Sequence, residues 1–125
     1  MSTAENGNNR YLFVVTGFDQ EPDRTAAPLV LANNALAGGA DVLVWLTHDG
    51  VELAKKGEAD KVKPRSFPAL IELLTNYIEA GGRIGICPPC GKTHGINEQN
   101  MIANAAWMGA SALLTEMQGR QTLSF

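Results

Sequence analysis

The sequence has little of what marks the specialised classes of protein. Its 125 residues include only two cysteines, and aromatic residues make up 6% of the chain. With a formal net charge of −3 it lacks the positive field that collects phosphates, so direct binding to nucleic acid is not expected. No apolar run approaches the ~20 residues of a membrane span, and the first residues lack a signal peptide's cationic start. These absences predict a cytoplasmic protein that does not enter the membrane.

What is present is typical of a globular domain. Hydrophobic residues make up 45% of the chain and charged residues 18%, which is close to the average for folded soluble domains. A chain of this length normally forms one domain around one core. The polar residues 1–9 are predicted to form a disordered tail, and residues 10–125 a single α/β domain.

Three apolar runs rich in β-branched residues predict strands that are covered on both faces. They are residues 11–16, 41–46 and 83–86. A helix with Leu29, Ala32 and Leu36 on one face is expected between the first two runs, capped by Asp23 or Thr25 and with Pro28 in its first turn. The sequence therefore begins with a strand, a helix and a second strand.

A second helix, capped by Ser66, is expected before the third run, because Leu70, Leu73, Leu74 and Tyr77 recur at helical spacing. The charged residues 55–65 that precede it are interpreted as a solvated loop. Each of the two helices is followed by a Gly-Gly pair, which is a common way to end a helix.

The last third of the chain predicts two more strands, at residues 105–108 and 122–125, with a helix at 111–118 between them. Alternation of strands and helices at these lengths favours a three-layer α/β/α single domain with a mostly parallel sheet of about five strands. In such sheets, ligands bind at the carboxyl ends of the strands.

The stretch Cys87-Pro88-Pro89-Cys90 directly follows the third strand, and His94 lies four residues further on. A structural disulfide is not expected in a reducing cytoplasm, so the pair has either a redox, transfer or metal function or no chemical role. A thiol near a helix N-terminus is favoured as the thiolate, which is the nucleophilic form. Pro88 and Pro89 have no N–H, so donors to Cys87 would have to come from Cys90 or beyond.

Other residues are expected at the same edge and are candidates for binding the substrate. They are His48 and Asp49 after the second strand, and Gly91, Lys92 and Gly95 beside the cysteines. Each also has a structural interpretation, because Asp before Gly is typical of turns and a lysine is usually solvated.

Four functions are compatible with these residues. Cys87 could carry sulfur, or the two cysteines could form a redox dithiol, although a thioredoxin-type pair opens a long helix early in the chain. Cys87, Cys90, His94 and His48 could instead ligate zinc. A non-catalytic subunit needs no activated thiol at all.

Several segments follow one another in a characteristic order: YLFVVT, ALAGGADVLVWL, DGV, IGICPPC followed by HGI, GASALLTEM and TLSF. Their order and spacing resemble those of the DsrE/DsrF-like family of small sulfur-relay proteins. The match runs from about residue 11 to residue 125. Many relatives have Arg at the position of His94, where this chain departs from the pattern.

This resemblance implies a parallel α/β/α sheet and a homo-oligomer, either a trimer or a hexamer. It also implies that Cys87 receives sulfur as a persulfide from a donor protein and passes it to an acceptor protein, with Cys90 and His94 beside it. Cys90 corresponds to a second cysteine found in only part of the family. Such exchange between thiols requires neither a cofactor nor a metal ion.

Overall fold

Five strands form a single sheet in the computed structural model, which describes residues 9–125 of the chain. The strands are β1 (Arg10–Val15), β2 (Asp41–Leu46), β3 (Arg83–Ile86), β4 (Ala105–Trp107) and β5 (Gln121–Ser124). Their order in the sheet is β4-β3-β2-β1-β5, and every neighbouring pair is parallel. Most of the predicted tail, residues 1–8, lies outside the described residues.

Within residues 9–125, four α-helices connect or cover the strands: α1 (Pro22–Ala37), α2 (Leu70–Glu79), α3 (Pro88–Thr93) and α4 (Ala110–Met117). Two short 3-10 helices, at His48–Ala54 and Ala59–Lys61, follow β2. The predicted α/β fold with a parallel sheet of five strands is confirmed. No helix within residues 9–125 is long and apolar enough to cross a membrane.

The larger part of the hydrophobic core lies between one face of the sheet and the helices α1 and α2. Phe13, Val44 and Ile84 point from the strands into this layer. Leu29 of α1 and Tyr77 of α2 meet them there, and both side chains are fully buried. Burial of this kind supplies most of the stability of a small domain.

The opposite face of the sheet carries a much smaller cluster under α4. Its buried members are Leu12, Leu43 and Met108, and Leu113 of α4 packs against them only partly buried. Leu114, the next residue of the helix, remains 63% exposed. The helix α4 therefore covers its face of the sheet incompletely.

A buried arginine fastens the C-terminal end of α4 to the sheet. The side chain of Arg120 is fully shielded from solvent and donates to the backbone oxygens of Tyr11 and Asp41, each at 3.1 Å. It also pairs with the carboxylates of Asp41 (3.2 Å) and Glu116 (3.0 Å). Arg83 binds the same Glu116 carboxylate through both of its terminal nitrogens. Charge pairing thus supplements the sparse apolar packing under this helix.

The predicted starts of the first two helices were wrong. α1 begins at Pro22, so Pro28 lies inside the helix rather than in its first turn. Asp23 does not cap α1, because its carboxylate accepts the backbone N–H groups of Arg65 and Ser66 at 2.7 and 3.1 Å. Thr25 lies within the helix and donates to the backbone oxygen of Phe18.

Ser66 does not cap α2, which begins four residues later at Leu70 after the N-cap residue Ala69. The intervening Pro68 explains this delay, because proline disfavours the helical conformation of the residue before it. The solvated loop predicted for residues 55–65 is also only partly correct. It contains the second 3-10 helix, and its Ala59 and Val62 are buried in the main core.

Candidate functional site

The carboxyl ends of β2 and β3 place Thr47 and Cys87 side by side. Leu46 and Ile86, the last residues of these strands, are paired in register. The backbone N–H of Cys87 donates to the oxygen of Leu46 at 2.9 Å, which extends the ladder one step beyond the strands. The prediction that Cys87 is the first residue after the third strand is therefore confirmed.

The two cysteines lie on the first turn of α3, a six-residue helix that the sequence analysis did not predict. Cys87 is its N-cap residue and Cys90 its third helical residue. Both thiols are free and partly exposed. Pro88 and Pro89 occupy the first two helical positions, where they have no N–H to offer a sulfur atom. The backbone N–H of Gly91 is already bonded to the oxygen of Cys87 at 2.9 Å.

Stabilisation of a thiolate comes instead from the residues that follow β2. The hydroxyl of Thr47 lies 3.6 Å from the sulfur of Cys90. This contact, followed by the backbone N–H of His48 and the thiol of Cys87, lowers the pKa of Cys90, whereas burial and the charge of Asp49 oppose the shift. Cys90 is thus the thiol for which the structure provides direct stabilisation of the anion.

The two thiols open onto different clefts. Cys87 lines an apolar cleft of about 330 Å³ between the start of α3 and the start of α4. The other residues lining it are Trp45, Pro88, Pro89, Gly109, Ala110, Leu113 and Leu114. Cys90 lines a smaller cleft of about 170 Å³, together with Pro89, Thr93 and His94. The turn of α3 therefore separates two approaches to the sulfur pair.

His94 is held by two carboxylates from the first 3-10 helix. Its Nδ1 lies 2.5 Å from Glu52 Oε2, and its Nε2 lies 3.3 Å from Asp49 Oδ1. A 3-10 helix has three residues per turn, so Asp49 and Glu52 lie on the same side of it. The imidazole also lines an acidic cleft of about 250 Å³ that includes Asp19 and Glu58.

This arrangement differs from the zinc site that was one hypothesis from the sequence, in which His94 is a ligand beside the two cysteines. Within the described part of the chain, no group of three or more histidine, cysteine, aspartate and glutamate side chains is arranged to hold a metal ion. The imidazole of His94 is instead engaged by Asp49 and Glu52.

The remaining predicted site residues lie around the same edge but in different environments. His48 is exposed and has a positive φ of 51°, and Lys92 is exposed on α3. Gly91 is buried, and a Cβ atom there would lie only 2.5 Å from the ring of Trp107. Gly95 has a φ of 77° and follows the last residue of the α3 cap. Gly91 and Gly95 are thus explained by packing and by backbone geometry.

Gly50 fixes the position of the whole first 3-10 helix. Its N–H donates to the oxygen of Thr16, and a Cβ atom at this position would lie 2.2 Å from the backbone oxygen of Val15. The backbone N–H of Thr47 binds the same Val15 oxygen at 3.1 Å. Only glycine allows this close approach, which presses the turn that carries Thr47 and Glu52 against the end of β1.

Sequence reasoning missed Thr47 and Glu52. Thr47 occupies the position directly after β2, so its location was available from the strand prediction, but His48 and Asp49 were singled out instead. Glu52 carried no comparable signal, because it meets His94 from 42 positions away along the chain.

Comparison with known proteins places this chain among related sequences from archaea. An uncharacterised protein of Methanocaldococcus jannaschii is 32% identical over 96 residues, which cover 77% of this chain and 81% of that protein. An uncharacterised protein of Methanopyrus kandleri is 38% identical over 80 residues, covering 64% of this chain and 63% of the relative. The chain thus spans most of the first relative and somewhat less than two thirds of the second.

Two solved structures share the fold at lower identity. The ychN protein from E. coli superposes with a TM-score of 0.73 at 17% identity, over 93% of this chain and 99% of that one. A protein of unknown function from Methanobacterium thermoautotrophicum gives a TM-score of 0.70 at 12% identity, over 94% and 99% of the two chains. The family pattern itself matches residues 9–125, nearly the whole chain. On this evidence the chain belongs to the DsrE/DsrF-like family.

Proposed function

We propose that this protein is a sulfur-relay protein in which Cys87 carries sulfur as a persulfide and passes it to the thiol of a partner. The observation that carries the proposal is the pair of free, partly exposed thiols on one turn at the carboxyl edge of a parallel sheet. Membership of the DsrE/DsrF-like family supports the same class of function.

The surroundings of Cys87 suit the role of carrier. Cys87 lines an apolar cleft that is open at the surface, so a partner can reach this residue and exclude water during exchange. Exchange between a persulfide and a thiol requires an accessible sulfur and a thiolate, but no cofactor. Cys90, three residues further on, supplies a second thiol within the same turn.

The proposal includes assembly into a homo-oligomer, as the resemblance to the family implies. Leu114 and Leu123 are large apolar side chains that remain 63% and 49% exposed in the single chain. The strands β4 and β5 lie at the two edges of the sheet, where no other strand of residues 9–125 pairs with their outer sides. Sedimentation equilibrium is expected to give the mass of a trimer or a hexamer, and a purely monomeric species would contradict this part of the proposal.

The carrier role is tested by loading the reduced protein with glutathione persulfide whose outer sulfur is isotopically labelled. After removal of the donor, peptide mapping is expected to find the labelled sulfur on Cys87, and added free cysteine is expected to collect it. The double variant Cys87→Ser/Cys90→Ser is the control and should carry no label. A wild-type protein that holds labelled sulfur on neither cysteine, or that holds it but does not release it to a thiol, would contradict the proposal and favour a non-catalytic subunit.

A further inference from the structure

The two cysteines are not equivalent, and their differences suggest a direction for the relay. Cys90 contacts the Thr47 hydroxyl, and Cys87 lines the apolar cleft beside α4. We infer that sulfur enters at Cys90, which Thr47 positions for attack, and that it then passes to Cys87. This inference rests on the proposed function and assigns its order of events.

The first step requires an ionised thiol that is held in place. Thr47 is 8% exposed, and its backbone N–H is bonded to Val15, so its hydroxyl has a fixed position 3.6 Å from the sulfur of Cys90. The same residue and the N–H of His48 lower the pKa of this thiol. A thiolate held in this way is the expected first nucleophile of the pair.

In that step, the Cys90 thiolate attacks the outer sulfur of a donor persulfide, R–S–SH. The bond between the two donor sulfurs breaks, and the donor leaves as the thiolate R–S⁻. Cys90 then carries –S–SH, and no oxidant or reductant is consumed. The cleft lined by Pro89, Thr93 and His94 gives the donor an approach to Cys90 that is separate from the apolar cleft.

In the second step, Cys87 gives its proton to solvent and attacks the outer sulfur of the Cys90 persulfide. The sulfur–sulfur bond breaks, Cys87 gains the –SH sulfur and Cys90 returns to the thiolate. A thiol with a lowered pKa is a good leaving group, because its anion is already stabilised. Contact with Thr47 therefore favours the Cys90 thiolate both as the nucleophile of the first step and as the leaving group of the second.

The groups around Cys90 determine how the transfer of sulfur from the donor to Cys90 depends on pH. Asp49 opposes ionisation of the thiol, whereas Thr47, the His48 N–H and the Cys87 thiol favour it. His94 lines the same cleft, but its ring nitrogens face Glu52 and Asp49. Removal of the Thr47 hydroxyl is thus the substitution that raises the pKa of Cys90 most directly, and it retains every neighbouring charge.

The first experiment measures the ionisation of Cys90 without any sulfur transfer. Iodoacetamide labelling against pH is compared in Cys87→Ser and in the same variant with Thr47→Val or Thr47→Ser. Valine has nearly the shape of threonine but no hydroxyl, whereas serine retains the hydroxyl. We expect the labelling midpoint to rise with valine and to stay close to the parent value with serine. Equal midpoints in all three proteins would overturn the role of Thr47.

The second experiment measures the order of transfer, with labelled glutathione persulfide as the donor. Cys87→Ser should accumulate the labelled sulfur on Cys90, because the second step is blocked. Cys90→Ser should load Cys87 several-fold more slowly than the wild type, and Thr47→Val should slow loading where Thr47→Ser does not. Circular dichroism and thermal unfolding verify that each variant is folded.

The outcomes separate this inference from the proposed function. Loading of Cys87 in Cys90→Ser at the wild-type rate would overturn entry at Cys90 but leave the carrier role intact. Release of sulfide with formation of a Cys87–Cys90 disulfide directly from the Cys90 persulfide would overturn the internal transfer, since Cys87 would then have attacked the inner sulfur and not the outer one. An absence of labelled sulfur on every protein, the wild type included, would overturn both proposals.

Discussion

The two faces of the sheet are held to their helices by different forces. On one face, α1 and α2 bury a continuous apolar layer that includes Leu29, Val44 and Tyr77. On the other face, α4 has no fully buried residue, and its apolar side chains pack against the small cluster around Leu12, Leu43 and Met108. There, the buried guanidinium of Arg120 and its carboxylate partners supply much of the attachment.

The difference shows how one small domain can provide both a stable core and an open site. The apolar cleft that contains Cys87 lies on the sparsely packed side, between α3 and α4. A helix fastened mainly at its C-terminal end by charge leaves space beside its N-terminal end. Four predictions test this contrast.

The largest loss of stability is expected for Arg120→Ala. The substitution removes the buried donor from the backbone oxygens of Tyr11 and Asp41, and each buried acceptor left unsatisfied typically costs about 2 kcal/mol, whereas Glu116 keeps its pair with Arg83. Urea unfolding followed by circular dichroism measures the change in the free energy of unfolding. If the loss is below about 1 kcal/mol, as is usual for surface pairs, charge does not hold α4 in place.

A slightly smaller loss is expected for Leu29→Ala on the densely packed face. Leu29 is 1% exposed, and removal of a buried leucine side chain costs about 3 kcal/mol through lost burial and the cavity left behind. The matched control is Leu31→Ala on the same helix, where the side chain is 42% exposed and the loss should be within about 0.5 kcal/mol. Similar losses for both variants would show that the layer under α1 is not closely packed.

The charge cluster under α4 also predicts a dependence of stability on pH. Arg83, followed by Arg120, lowers the pKa of Glu116 from 4.5 to about 2. Because the folded state binds this proton more weakly than the unfolded state, the stabilisation is complete above pH 4.5 and is lost as the pH falls towards 2. Glu116→Gln should flatten the fall in unfolding free energy over this range. An unchanged acid profile in the variant would be inconsistent with the pairing.

The smallest effect is expected for Leu114→Ser, on the exposed side of α4. With 63% of this residue exposed, the free energy of unfolding of the single chain should change by no more than about 0.5 kcal/mol. The control Leu113→Ser should cost more, because Leu113 packs against the small apolar cluster. Sedimentation of Leu114→Ser sharpens the comparison, since weakened self-association would identify this surface as an interface between copies of the chain.

The strands and the location of the site could be predicted from the sequence because both depend on local patterns. Parallel strands covered on both faces appear as continuous apolar runs, and the predicted bounds of β2 and β3 agree with the structure. The position of Cys87 then followed from the rule that the carboxyl ends of parallel strands meet at one edge. For the same reason the α/β fold and its five strands were predicted correctly.

The predictions that were wrong or missing concern features that depend on contacts between residues far apart in the sequence. Asp23 was expected to cap its own helix, but it binds backbone groups some 40 positions away, which no local pattern reveals. The helix α3 was missed because its Pro-Pro start and internal Gly91 are typical of a turn. The close approach of Gly91 to Trp107 is a tertiary contact that favours glycine in the helix.

Gly50 has a consequence for how this protein can vary. Any side chain at this position would collide with the backbone of Val15 and displace the 3-10 helix. That shift would move the Thr47 hydroxyl away from Cys90 and the Glu52 carboxylate away from His94 together. A random-mutagenesis screen for sulfur transfer should therefore recover almost no active substitution at position 50, although glycine has no side chain that could take part in the chemistry.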